Sequence, residues 1–179
     1  MSLRNGVLSV LLFAAACGPE SEPATDGAGQ EVAAPLAQKE EINPLVSPPI
    51  ITFWENNGCG GDQVGWYVYN NAAMIMPNAS GSGWVNDEAR SMMLFRVDAG
   101  TIIRVYDSPS GSHSDDWAEI TLKRYVSELC ISSFEYASPN DDYSLRYCDE
   151  GNLDGKVSQA RAQPYAFTGS SCSGTWRYY

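Results

Sequence analysis

From Pro49 to the C-terminus no run is long enough for a capped helix, because Gly, Asn and Ser interrupt every candidate. The region offers instead short β-branched and aromatic runs between turn signals, the pattern of strands that bury one face. Eight runs read this way: Ile50 to Trp54, Val64 to Tyr69, Ser91 to Val97, Thr101 to Asp107, Trp117 to Lys123, Leu129 to Tyr136, Tyr143 to Cys148 and Val157 to Arg161. Side chains alternate along a strand, which places Met93, Phe95 and Val97 on one face, and likewise Ile103 and Val105. Asp98-Ala99-Gly100 and Ser138-Pro139-Asn140-Asp141 carry turn chemistry at hairpin positions. All five Trp and all ten Tyr lie in this region. The expected class is all-β, a sandwich or Greek-key pair of sheets.

The N-terminal part is of another kind. Arg4, an apolar run from Val7 to Ala16 and small residues before Cys17 read as a secretory signal peptide over residues 1–16. The run is too short for a membrane-spanning helix, which needs ~20 apolar residues. Ala14-Ala15-Ala16-Cys17 resembles the bacterial lipobox, with Ala where Leu is usual, and that implies acylation of Cys17 by chains such as palmitate. A membrane anchor follows, because each buried CH₂ contributes ~0.8 kcal/mol. Gly18 rather than Asp after the Cys resembles the outer-membrane form of the sorting signal. Residues 18–48 hold no aromatic side chain and are rich in Pro, Glu, Ala and Gly. Such a segment buries too little to offset its ordering entropy, so residues 17–48 are expected to be a lipidated, disordered tether. The organisation is then signal peptide, tether, a domain over 49–162 and a docked tail over 163–179.

Removing Arg4 with the leader leaves 10 basic against 22 acidic side chains. Such a surface repels nucleic acid and anionic lipid. Four cysteines remain in the domain, an even count that suggests two disulfides in an exported chain. Three pairings are possible. A hairpin turning at 138–141 sets Cys130 opposite Cys148, which leaves Cys59 with Cys172.

Two stretches echo one another. Ile51-Thr52-Phe53-Trp54-Glu55 and Ile103-Arg104-Val105-Tyr106-Asp107 each alternate, end in an aromatic residue and an acid, and lead into a turn. Asn86-Asp87-Glu88-Ala89-Arg90-Ser91 and Leu153-Asp154-Gly155-Lys156-Val157-Ser158 each carry Asp second and Ser sixth. This double pattern resembles the βγ-crystallin family over about residues 50–162. The resemblance implies two Greek-key motifs forming a β-sandwich. It also implies that Ser91 and Ser158, beside Asn86, hold a hairpin over by hydrogen bonding to its backbone. Calcium would lie between the paired motifs, with Asp87 and Asp154 as carboxylate ligands and the carbonyls of Glu88 and Gly155 joining them. Hard cations want six to eight oxygens, and the fifth motif position offers Arg90 in one copy and Val157 in the other. Weak binding, or Asp87 and Asp154 as plain turn formers, are both compatible with that.

Other chemistry has less support. His113 is the single histidine, in the polar loop Ser110-Gly111-Ser112-His113-Ser114. No nucleophile elbow or His-Glu-x-x-His accompanies it, so it is expected to be a solvated loop residue. Asp115-Asp116, Asp141-Asp142 and Asp149-Glu150 are expected in turns and on the surface, with Asp115-Asp116 open to calcium or a turn. Trp66, Tyr67, Tyr69 and Trp84 seal the core or form a sugar-stacking platform, and strand parity sends Trp66 and Tyr67 to opposite faces. The expected function is a non-enzymatic, envelope-anchored structural or binding domain, with calcium as its leading ligand. A secreted protease inhibitor and a carbohydrate-binding module are the alternatives.

Overall fold

The structure, a computed structural model, describes residues 47–76 and 81–179. The expected leader, Cys17 and all but the end of the tether lie outside the described residues. The described part is all-β, with ten strands in chain order: β1 (Ile50–Asn56), β2 (Gly60–Val68), β3 (Met74–Met76), β4 (Ser91–Val97), β5 (Ile102–Tyr106), β6 (Trp117–Leu122), β7 (Val126–Ile131), β8 (Tyr143–Asp149), β9 (Gln159–Gln163) and β10 (Thr175–Tyr178).

Two antiparallel sheets form a sandwich. The four-stranded sheet runs β2-β1-β4-β7 and the six-stranded sheet β10-β8-β6-β5-β9-β3. β3 leaves the first half of the chain to pair with β9, and β7 leaves the second half to pair with β4. Each sheet is therefore completed by a strand from the other half. β8 and β10 widen the six-stranded sheet beyond β6.

The core lies between the sheets, as the alternation requires. Ile51, Phe53, Met92, Leu94 and Ile131 face inward from one sheet, and Ile103, Val105, Ile120, Leu145 and Ala162 from the other. Burying each large aliphatic side chain contributes roughly 1.5–3 kcal/mol relative to leaving it exposed. The expectation for β4 was half right. Val97 is in the core, but Met93 and Phe95 are only partly buried and face away from it, while Met92 and Leu94 are fully buried. The break falls at Arg96, whose φ of 54° interrupts the alternation and lets Val97 turn inward.

The disulfide expectation is corrected. Cys59 bonds Cys130, with Cα atoms 6.0 Å apart, and Cys148 bonds Cys172, with Cα atoms 5.6 Å apart. The expected pairing of Cys130 with Cys148 needed β7 and β8 to form a hairpin. They belong to different sheets, and residues 132–142 cross from one to the other. Cys130 instead sits opposite Met93 on β4, where the turn between β1 and β2 brings Cys59 to it. The second bridge ties the C-terminal segment to β8, beside the Cys148–Trp176 register pair.

Candidate functional site

The two outer faces of the sandwich differ. On the six-stranded sheet, Tyr106, Trp117 and Cys148 form a small second core, with Cys172 and Trp176 packed against it. Trp117 is fully buried there, its ring edge-on to Trp176 at 5.0 Å and to His113 at 4.6 Å. The loop after β5 and the segment after β9 cover this face. His113 is thus not the solvated loop residue expected. Its ring packs against Tyr106 and Trp117, and its Nε2 lies 3.2 Å from Arg104 Nη1. Desolvation, and then the charge of Arg104, hold its pKa below the ordinary histidine value.

The outer face of the four-stranded sheet is bare by comparison. Register sets Trp66 beside Thr52 and Met93, and Val68 beside Ile50 and Phe95. Trp66 is 41% exposed and Val68 43%. Tyr67, the neighbour of Trp66, is buried in the core, so the parity argument for that pair holds. Of the other aromatic residues expected either to seal the core or to form a platform, Tyr69 is fully buried and seals the core. Trp84 is half-buried against Phe53 at 5.1 Å, over the space that Gly65 leaves by having no side chain. Trp54 and Phe95, both half-buried, share the outer face with Trp66.

Polar groups border these rings. Ile50, Thr52, Gln63, Trp66, Phe95 and Arg96 line a depression of about 340 Å³. Trp54 Nε1 donates to Thr52 Oγ1 at 2.9 Å and orients the indole. Arg96 reaches the depression because of its left-handed backbone, a conformation that costs a non-glycine residue ~1–3 kcal/mol. Its Nη2 donates to the Pro48 carbonyl at 3.4 Å. Its Nε is buried without a hydrogen-bond partner among the described residues.

The corners that carry the repeat meet. Asp87 N donates to Val157 O at 3.2 Å, and Gly155 N to Ala89 O at 3.0 Å. Ser91 Oγ donates to Asn56 O and accepts from Cys59 N, which fastens the first hairpin. Ser158 behaves differently: its N donates to Tyr106 O, and its Oγ to Asp87 Oδ1 at 2.7 Å. Asn86 and Glu88 are exposed.

These corners do not fit a calcium ion. Asp154 is buried, and its two carboxylate oxygens accept from Phe134 N and Ser133 Oγ. Desolvation raises its pKa, which disfavours the charged form that an ion would need. Arg90 Nη1 donates to the Asp154 carbonyl, and the guanidinium lies so close over Gly155 that a Cβ there would meet Nη2 at 2.6 Å. The Arg90 side chain thus occupies the space beside the second corner.

Carboxylates converge elsewhere. Oxygens of Asp107, Asp115 and Asp116 lie within 4.8 Å of one another. Asp116 is structural: it accepts from Tyr147 OH, Glu150 N and Asn152 N, tying β6 to the turn after β8. Asp107 titrates above the ordinary carboxylate value, through desolvation and then the charge of Asp115. No family model, curated protein or solved structure matches this chain, so the reading of its function rests on this geometry.

Proposed function

We propose that this chain is an exported, lipid-anchored, non-enzymatic binding protein of βγ-crystallin-like architecture that takes glycan chains on the outer face of its four-stranded sheet. The carrying observation is the contrast between the two faces: one is sealed by its own C-terminal segment, while the other leaves Trp66 open. Sugar rings stack their C–H faces on flat aromatic surfaces, and Gln63 and Arg96 line the same depression as polar neighbours for their hydroxyls. The exchanged third strands and the meeting Asp–Ser corners support the family reading. Two disulfides support an oxidising destination. Anchorage through Cys17 to the envelope, in the outer membrane, rests on the leader sequence.

Affinity electrophoresis through gels containing soluble polysaccharides tests this reading. Retardation of the wild-type protein is expected, with Trp66→Ala running freely at an unchanged melting temperature. A Trp66→Ala protein retained like the wild type, or a wild-type protein that no polysaccharide retards, overturns it.

Calcium is a second reading, favoured by the crowding of Asp107 with Asp115 and Asp116 rather than by the motif corners. The folded pKa of Asp107 is raised, so stability is greatest below its ordinary value and falls as pH rises and the carboxylate ionises. A divalent ion would relieve that repulsion. Millimolar calcium is expected to raise the wild-type melting temperature, and Asp107→Asn to raise it without calcium and abolish the response. No calcium shift in the wild type ends this reading.

A further inference from the structure

We infer that a cavity on the opposite face, under the C-terminal segment of the six-stranded sheet, binds a small carboxylate with an apolar body. The cavity, about 250 Å³, lies between the outer face of β5, β9 and β3 and residues 165–168. Arg104, Arg161, His113 and Gln163 supply its polar wall, and Ile75 and Phe167 are part of its apolar wall.

Charge is the first argument. Arg104 and Arg161 are register partners on adjacent strands, and like charges placed directly opposite repel. Arg146 joins them on the same face, two strands away, yet Glu119 is the one acid that pairs there. Its carboxylate bridges Arg104 Nε at 2.7 Å and Arg146 Nε at 2.8 Å. Three guanidinium groups thus face one carboxylate, and Arg161 has no carboxylate partner among the described residues. The chain as a whole carries a formal charge of −11, so a cationic cavity does not follow from bulk composition.

Construction is the second. Arg104 is 1% exposed and its guanidinium is clamped between Trp117, at 4.9 Å, and Phe167, at 4.5 Å. Arg161 lies over Tyr106 at 5.1 Å, donating through Nε to Gln159 Oε1 and through Nη2 to the Ser110 carbonyl. Gly111 allows this: a Cβ there would meet Arg161 Nη2 at 2.1 Å. Two guanidinium groups held this firmly have lost their rotamer entropy before a ligand arrives, which favours recognition of a planar anion. Arg104 and Arg146 share Glu119 while Arg161 lacks a carboxylate, so one carboxylate ligand supplies the missing partner, and the Phe167 and Ile75 wall matches an apolar body.

Benzoate, acetate and inorganic phosphate are the probes, titrated into purified protein with tryptophan fluorescence as the readout, since Trp117 underlies the site. Benzoate is expected to bind saturably and more tightly than acetate or phosphate, and to weaken as salt rises. Arg161→Met is expected to lose at least about tenfold in benzoate affinity, and Arg161→Lys to recover part of it. Phe167→Ala, in the covering segment, is expected to weaken benzoate but not acetate. Absence of saturable binding by all three probes, phosphate binding tightest, or unchanged affinity in both Arg161→Met and Phe167→Ala overturns the inference. Glycan retention, which belongs to the other sheet, is expected to be intact in Arg161→Met, so the two proposals fail separately.

Discussion

Arg96 stands in a left-handed conformation in the last turn of a strand, where an L-residue gains nothing by itself. Glycine there removes the strain, and Arg96→Gly is expected to hold or raise stability by up to ~1 kcal/mol, read by urea melts, while weakening glycan retention. Lower stability with unchanged retention would mean that the side chain serves the fold alone. His113 offers a second test. Its folded pKa lies below the ordinary 6.5, so the unfolded chain takes up the proton first. Its contribution to stability is full above 6.5 and lost as pH falls from there through the lowered value. The melting temperature of wild type is expected to drop over that window, and that of His113→Gln to drop less. Trp66 and Tyr67 were separable in the sequence by parity alone. Arg96 was not, because nothing in an arginine codon announces a positive φ, and the face assignment of Met93 and Phe95 failed with it. His113 was misread for a related reason: a polar loop was taken to be a wet one, although this loop folds onto Trp117.

At the scale of elements, eight strands were legible from alternation and turn residues, most within four positions at their ends, while the run Leu129 to Tyr136 overlaps β7 only at the strand's last three residues. β3 and β10 were not, being three and four residues long and defined by the edges they pair with. The same gap misled the cysteine assignment, because a turn-rich stretch after Cys130 looks alike whether it closes a hairpin or crosses between sheets. The corrected bridges give unequal expectations. Cys59–Cys130 spans a sequence separation of 71 and Cys148–Cys172 one of 24. Chain-entropy arguments assign about 4 kcal/mol to the first and about 3 kcal/mol to the second. Paired Cys→Ser variants are expected to melt in that order. Loss of the second bridge alone is expected to red-shift the fluorescence of Trp117 as its cover loosens. An unshifted spectrum in Cys148→Ser/Cys172→Ser would show that the covering segment docks without its tether.

Over the whole molecule, the all-β class followed from the punctuation of the chain, and the repeat located both corners that meet in the folded protein. The ligand could not be read from those corners. The motif supplied the carboxylates, but what surrounds them is a matter of packing: Asp154 is enclosed by Ser133 and Phe134, and Arg90 covers Gly155. The candidate faces depend on which side of the sandwich receives the segment after β9, which no local pattern encodes.

The exchange of β3 and β7 has a last consequence. Neither the part before Asp98 nor the part after Gly100 owns a complete sheet, so a nick in that turn would not release two independent pieces. Cys59 and Cys130 lie on opposite sides of the cut and would keep the fragments covalently paired. Each would then find its missing edge in its own former neighbour rather than in a second molecule, which protects the protein from joining others through open strands.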